Sequence, residues 1–132
     1  MEKKRILVVD DEPNVLVTYR LILQQQGFEA HAAVSSEEAR RALDSLEFDL
    51  LLCDLSLEKQ ESGFDVIEYA RGKNATLRAI LLTGYASPEA NEWAEAQKIP
   101  ILFKPIDVQQ LLDTISSLTR NDDHAIRQAT CE

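Results

Sequence analysis

Cysteine, glycine and positive charge are in short supply in this chain, and each shortage excludes something. The two cysteines, Cys53 in an apolar run and Cys131 in a polar stretch, have neither the number nor the spacing of a disulfide framework or a zinc site. Cys53 reads as a small buried hydrophobe. The glycines, Gly27, Gly63, Gly72 and Gly84, stand too far apart to form a phosphate-cradling nucleotide loop, so ATP is not an expected ligand. No apolar run approaches the roughly 20 residues of a transmembrane helix, and the run 6–9 is too short for a signal peptide. The expected address is the cytoplasm, without membrane association. Fourteen Lys and Arg face 23 Asp and Glu, a net charge of −9. That balance repels nucleic-acid phosphates, and no basic stripe gathers, so direct nucleic-acid binding is not expected. His31 and His124 lie apart from any Cys or Asp cluster and are not expected to ligate metal.

A chain of 132 residues, 45% hydrophobic and 28% charged, has the make-up of one globular domain with a real core. Short apolar runs alternate with amphipathic stretches: strands over 6–9, 29–32, 50–53, 79–82 and 101–103, helices over 15–23, 37–46, 64–70, 89–96 and 108–118. This is five βα units. Val15, Leu16, Tyr19, Ile22 and Leu23 share one helical face, Pro13 suits the first turn and Gly27 the end. Ser35 with Glu38, and Asp107 with Gln110, have capping-box spacing, and Ser87-Pro88 marks another helix start. Leu50, Leu51, Leu52 and Cys53 do not alternate, as in a parallel strand covered on both faces. The expected fold is α/β, a doubly wound (βα)5 with a five-stranded parallel sheet. Residues 1–119 form the domain; 120–132 lack a clear periodic pattern and read as a polar tail or the start of a linker.

In such sheets ligands bind beyond the carboxyl ends of the strands. The residues there are Asp10 and Asp11 after the first strand, Asp54 after the third, Thr83 after the fourth and Lys104 after the fifth. Singly, each has a bland explanation: a helix cap for Asp10 or Asp11, a turn for Asp54, a strand position for Thr83, a solvated surface lysine for Lys104. Together they are harder to dismiss, because three gathered carboxylates repel and need a compensating cation. Hard oxygen donors suit Mg²⁺, and a hydroxyl and an ammonium opposite them suit a transferring phosphoryl group.

The stretches Ile6-Leu7-Val8-Val9-Asp10-Asp11-Glu12, Leu51-Leu52-Cys53-Asp54-Leu55, Leu81-Leu82-Thr83-Gly84 and Phe103-Lys104-Pro105 resemble, in order and separation, the four signature segments of the receiver domain of bacterial two-component response regulators. The resemblance covers residues 4–119. It implies a flavodoxin-like strand order 2-1-3-4-5 and a phosphorylation-dependent switch. Asp54 would be the phosphoacceptor. Mg²⁺ would be held by Asp10, Asp11, Asp54 and the backbone carbonyl of Ser56, with Thr83 and Lys104 contacting the phosphoryl group and a cis peptide before Pro105. The implied partners are a histidine kinase or histidine phosphotransfer protein and an unknown downstream protein or effector domain; the implied chemistry is limited to the domain's own phosphorylation and dephosphorylation. Two rivals are a pseudo-receiver that binds without phosphorylation, and a phosphatase with an aspartyl-phosphate intermediate. The phosphatase would want an acid where Ser56 stands.

The chain departs from the family pattern in three places. Gly63 comes one residue later than usual after Asp54, behind Leu57-Glu58 where many members have methionine and proline. Ile101 stands where many members have a switching aromatic ring, so ring rotation cannot be the signal. Tyr85, two residues after Thr83, either hangs over the site or packs on the following helix. Trp93 shares a helical face with Ala90 and Ala94 and is expected to pack against the sheet.

Overall fold

The computed structural model of the chain describes residues 3–57 and 62–131. The loop residue Glu58 and the side chains of His124 and Cys131 lie outside the described part. Ten elements alternate: β1 (Arg5–Val9), α1 (Pro13–Gln25), β2 (Glu29–Ala33), α2 (Ser36–Ser45), β3 (Leu50–Asp54), α3 (Gly63–Lys73), β4 (Arg78–Thr83), α4 (Pro88–Gln97), β5 (Ile101–Phe103) and α5 (Val108–Cys131). The strands form one parallel sheet in the order β2-β1-β3-β4-β5, the expected doubly wound topology.

Alternate residues of the central strands build two cores, which is why β1, β3 and β4 carry apolar residues on both faces. Ile6, Val8, Leu50, Leu52, Ile80 and Leu82 meet Leu16, Tyr19 and Leu23 of α1 and Leu111 and Ile115 of α5. Leu7, Val9, Leu51, Cys53, Ala79 and Leu81 point the other way, toward Ala39 of α2, Val66, Ile67 and Ala70 of α3, and Ala94 of α4. Cys53 is fully buried, and burial together with Asp54 and Asp10 holds its thiol above its ordinary pKa, as a structural cysteine requires.

The helix starts follow their sequence signals. The Ser35 hydroxyl accepts the Glu38 N–H at 3.1 Å, and the Glu38 carboxylate accepts the Val34 N–H at 3.0 Å. Asp107 accepts from Gln109 and Gln110, Ser87 from Ala90, and Gly27 takes φ +92° after α1, where a side chain would be strained. The fifth helix continues to Cys131, beyond the expected 108–118, because its apolar spacing stops before its backbone does. Among the described residues no helix is long and apolar enough to cross a membrane.

At the amino-terminal edge of the sheet, Glu29 Oε2 lies 2.7 Å from His31 Nε2 and accepts from Arg5 Nε at 2.6 Å. These partners hold the Glu29 carboxyl below the usual carboxylate range. A lowered acid contributes stability above its unfolded pKa of about 4.3 and loses it as pH falls through the folded value. Arg5→Ala should therefore melt below the unaltered protein at pH 7, and the gap should narrow in acid below about pH 4. Melts at both pH values check this; a constant gap would place the effect in the guanidinium's other bond, to the Glu47 carbonyl at 2.9 Å.

Candidate functional site

The ends of four strands converge at the carboxyl edge, over the gap between β1 and β3 where the winding direction reverses. The sheet ladder carries the side chains there: the Asp10 N–H donates to Ala33 at 3.1 Å, that of Leu55 to Leu82 at 2.9 Å and that of Lys104 to Thr83 at 2.7 Å. The peptide between Lys104 and Pro105 is cis, as expected.

Among the described residues, the buried polar or charged ones are Asp10, Ser36, Asp54 and Thr83; three of the four are expected site residues. Burying a carboxylate is unfavourable unless it is paired and hydrogen-bonded. Both buried acids meet the same cation: Lys104 Nζ donates to Asp54 Oδ2 at 2.8 Å and to Asp10 Oδ2 at 3.2 Å. Burial opposes the ammonium charge, but Asp54 and Asp10 outweigh it and hold Lys104 above its ordinary pKa. The remaining carboxylate oxygens are also used, Asp54 Oδ1 accepting the Ser56 N–H at 3.1 Å and Asp10 Oδ1 the Glu12 N–H at 3.0 Å. Each is thus fixed in orientation.

Carboxylate oxygens of Asp10, Asp11 and Glu12 lie within 4.8 Å of one another. Two of these acids belong to the expected ligand set. Glu12 does not, and its signal was its place directly after the acid pair. Asp54 stands across Lys104 from this group. The donor set is all hard oxygen and more negative than one ammonium offsets, which fits Mg²⁺.

Thr83 is buried at the edge, yet its hydroxyl donates to the Tyr85 carbonyl at 2.7 Å and accepts the Tyr85 N–H at 3.2 Å. It is turned onto its own loop. Tyr85 is 74% exposed, so its ring faces mostly solvent. Tyr19 of α1 is buried in the core beside the site, and its phenol pKa is raised, chiefly by burial, with Lys104 lowering it and Asp10 and Asp54 raising it. In sequence Tyr19 showed only as part of an apolar helical face.

The model of the response regulator receiver domain matches residues 6–116. The chain belongs to that family. This receiver domain is similar to the amino-acid sequence of the response regulator protein PilR of Pseudomonas aeruginosa, 28% identical over 121 residues that make up 91% of this chain and 27% of PilR. It also resembles AlgB of the same species, an alginate biosynthesis transcriptional regulatory protein, with 32% identity over 108 residues, 81% of this chain and 24% of AlgB. The receiver thus spans about a quarter of the length of these relatives. Among solved structures, a CheY-like response regulator receiver domain protein from Methanospirillum hungatei superposes with a TM-score of 0.87 at 27% identity, covering 94% of this chain and 99% of that one.

Proposed function

We propose that this receiver accepts a phosphoryl group on Asp54 and thereby switches its output surface. The observation that carries the reading is the single ammonium of Lys104 bridging two buried carboxylates on strands whose ends meet at the winding reversal. An Asp54 carboxylate oxygen attacks the phosphorus of a phosphohistidine on a histidine kinase or phosphotransfer protein; a P–O bond forms, the P–N bond breaks, and the imidazole leaves with the electron pair and takes up a proton. Water later attacks the same phosphorus, releasing inorganic phosphate and restoring the carboxylate. The catalysis is confined to the domain's own modification.

Asp10, Asp11 and Asp54 with the Ser56 carbonyl would hold Mg²⁺. When bound, the ion neutralises charge developing on the phosphoryl oxygens. Lys104 pairs with a phosphoryl oxygen, and Thr83 bonds another once its hydroxyl leaves the Tyr85 carbonyl. The donor partner and a downstream protein or effector domain are both expected in the cytoplasm. Residues 1–119 form the receiver unit, with 120–132 as a tail or the start of a linker.

Because the acids crowd negative charge, Mg²⁺ should stabilise the fold in proportion to occupancy. At a concentration 100-fold above the dissociation constant the gain is about 2.7 kcal/mol, several degrees of melting temperature for a domain of this size. Thermal melts with and without Mg²⁺ test this. No rise at saturating Mg²⁺, or an equal rise in Asp11→Ala, would remove the metal from the account.

A further inference from the structure

The first turn of α3 stands between the acceptor strand and α4, and its contacts are unusually close. The Gly63 N–H donates to the Leu55 carbonyl at 2.8 Å, Ser56 and Ser62 form an antiparallel bridge, and the Ser62 hydroxyl accepts the Phe64 N–H at 3.0 Å. Gly63 is buried. A β-carbon at Gly63 would overlap the backbone carbonyl oxygen of Asp54 and stand 3.1 Å from its carbonyl carbon and from Leu55 Cα. Helix α3 therefore begins against the peptide that carries the acceptor carboxylate, at a distance only glycine permits. The next residue, Phe64, stacks on Trp93 of α4, with ring centroids 4.3 Å apart at 42°. Both rings are half-buried on the same core as Ile101.

We propose that the first turn of α3 positions Asp54 through Gly63 and is itself held by the Phe64–Trp93 contact, so that the acceptor site and α4 are thermodynamically linked. The inference rests on Asp54 being the acceptor. Interiors are close-packed and give little under displacement. A shift of the Asp54 peptide has no free volume at Gly63, so it moves the turn, and with it the ring that touches α4. The aromatic contact to α4 comes from α3, through Phe64. Linkage is reciprocal: a phosphoryl mimic on Asp54 must alter the surroundings of Trp93, and a change at Phe64 must alter affinity for the mimic without touching it. Gly63 and Phe64 are positioning residues.

The test uses the full chain with beryllofluoride and Mg²⁺, binding being followed by ¹⁹F NMR and the response by tryptophan emission. In the unaltered chain emission should change in step with the bound fluorine signal. Phe64→Leu should fold, bind about twofold to thirtyfold more weakly and give a smaller emission change; Gly63→Ala, where it folds, should also bind more weakly. Ile115→Val trims the core on the opposite face of the sheet and should leave affinity unchanged, which separates positioning from general stability. Unchanged affinity in folded Phe64→Leu, an equal loss in Ile115→Val, or flat emission beside a bound fluorine signal would overturn the link. No bound fluorine signal in the unaltered chain would overturn the acceptor reading itself, and this proposal with it.

Discussion

Lys104→Met is expected to lower the free energy of unfolding by about 3 kcal/mol in metal-free buffer, a large part of a typical domain's stability. Asp10 is inaccessible and the Asp54 carboxylate nearly so, and the ion pairs described for both go to Lys104. Methionine keeps an apolar stem of similar length but leaves two buried carboxylates facing each other. Breaking a buried pair by removing one partner costs about 3–5 kcal/mol; the low end applies because the Lys104 side chain keeps 30% of its exposure. Saturating Mg²⁺ should recover part of the loss, since a cation bound by the same acids replaces the missing charge. Asp54→Asn in the same metal-free buffer should cost far less, because it removes one carboxylate and leaves Lys104 on Asp10. Urea unfolding of the three proteins, with chelator and with Mg²⁺, measures this. Equal stability of Lys104→Met and the unaltered chain in chelator would mean that the acids are compensated elsewhere.

The same arrangement explains how the site trades stability for chemistry. A doubly wound sheet needs no acids at its carboxyl edge, and hydrophobic or neutral residues there would avoid the desolvation of Asp10 and Asp54. Buried charge is retained where a reaction needs it, and here one lysine orients both acids while Ser56 and Glu12 N–H groups fix their other oxygens. The Asp54 carboxylate is thereby held in one orientation, which under the proposed function prepares the attacking oxygen before any phosphoryl donor arrives.

Much of this was legible in the sequence because it depends on period and punctuation. Unalternating strands such as Leu50-Leu51-Leu52-Cys53 announced a sheet covered on both faces, and residues at strand ends announced the site. Even the second strand was readable, expected over 29–32 and found over Glu29–Ala33. What remained hidden depends on three-dimensional choices between competing partners. The Thr83 hydroxyl can bond its own loop or face the site, a local competition that spacing does not decide; in the structure Tyr85 wins. Glu12 joins the acid cluster only because the backbone turns after Asp11. The stacking of Phe64 on Trp93 joins residues on two helices, and no one-dimensional pattern relates them. The length of α5 was missed because its carboxyl-terminal part carries no apolar stripe to mark it.

The most direct test of the account is the site of phosphorylation. Incubated with acetyl phosphate and Mg²⁺, the chain should gain one phosphoryl group per molecule, seen by intact-mass spectrometry. That group should be released by hydroxylamine, as an acyl phosphate requires, and should be lost when Mg²⁺ is chelated before the reaction. Asp54→Asn keeps the amide oxygen as an acceptor for the Ser56 N–H but lacks the nucleophilic carboxylate, so its labelling should fall to background while its melting transition persists. Undiminished, hydroxylamine-sensitive labelling of folded Asp54→Asn would show that another carboxylate is the acceptor and would contradict the account at its centre.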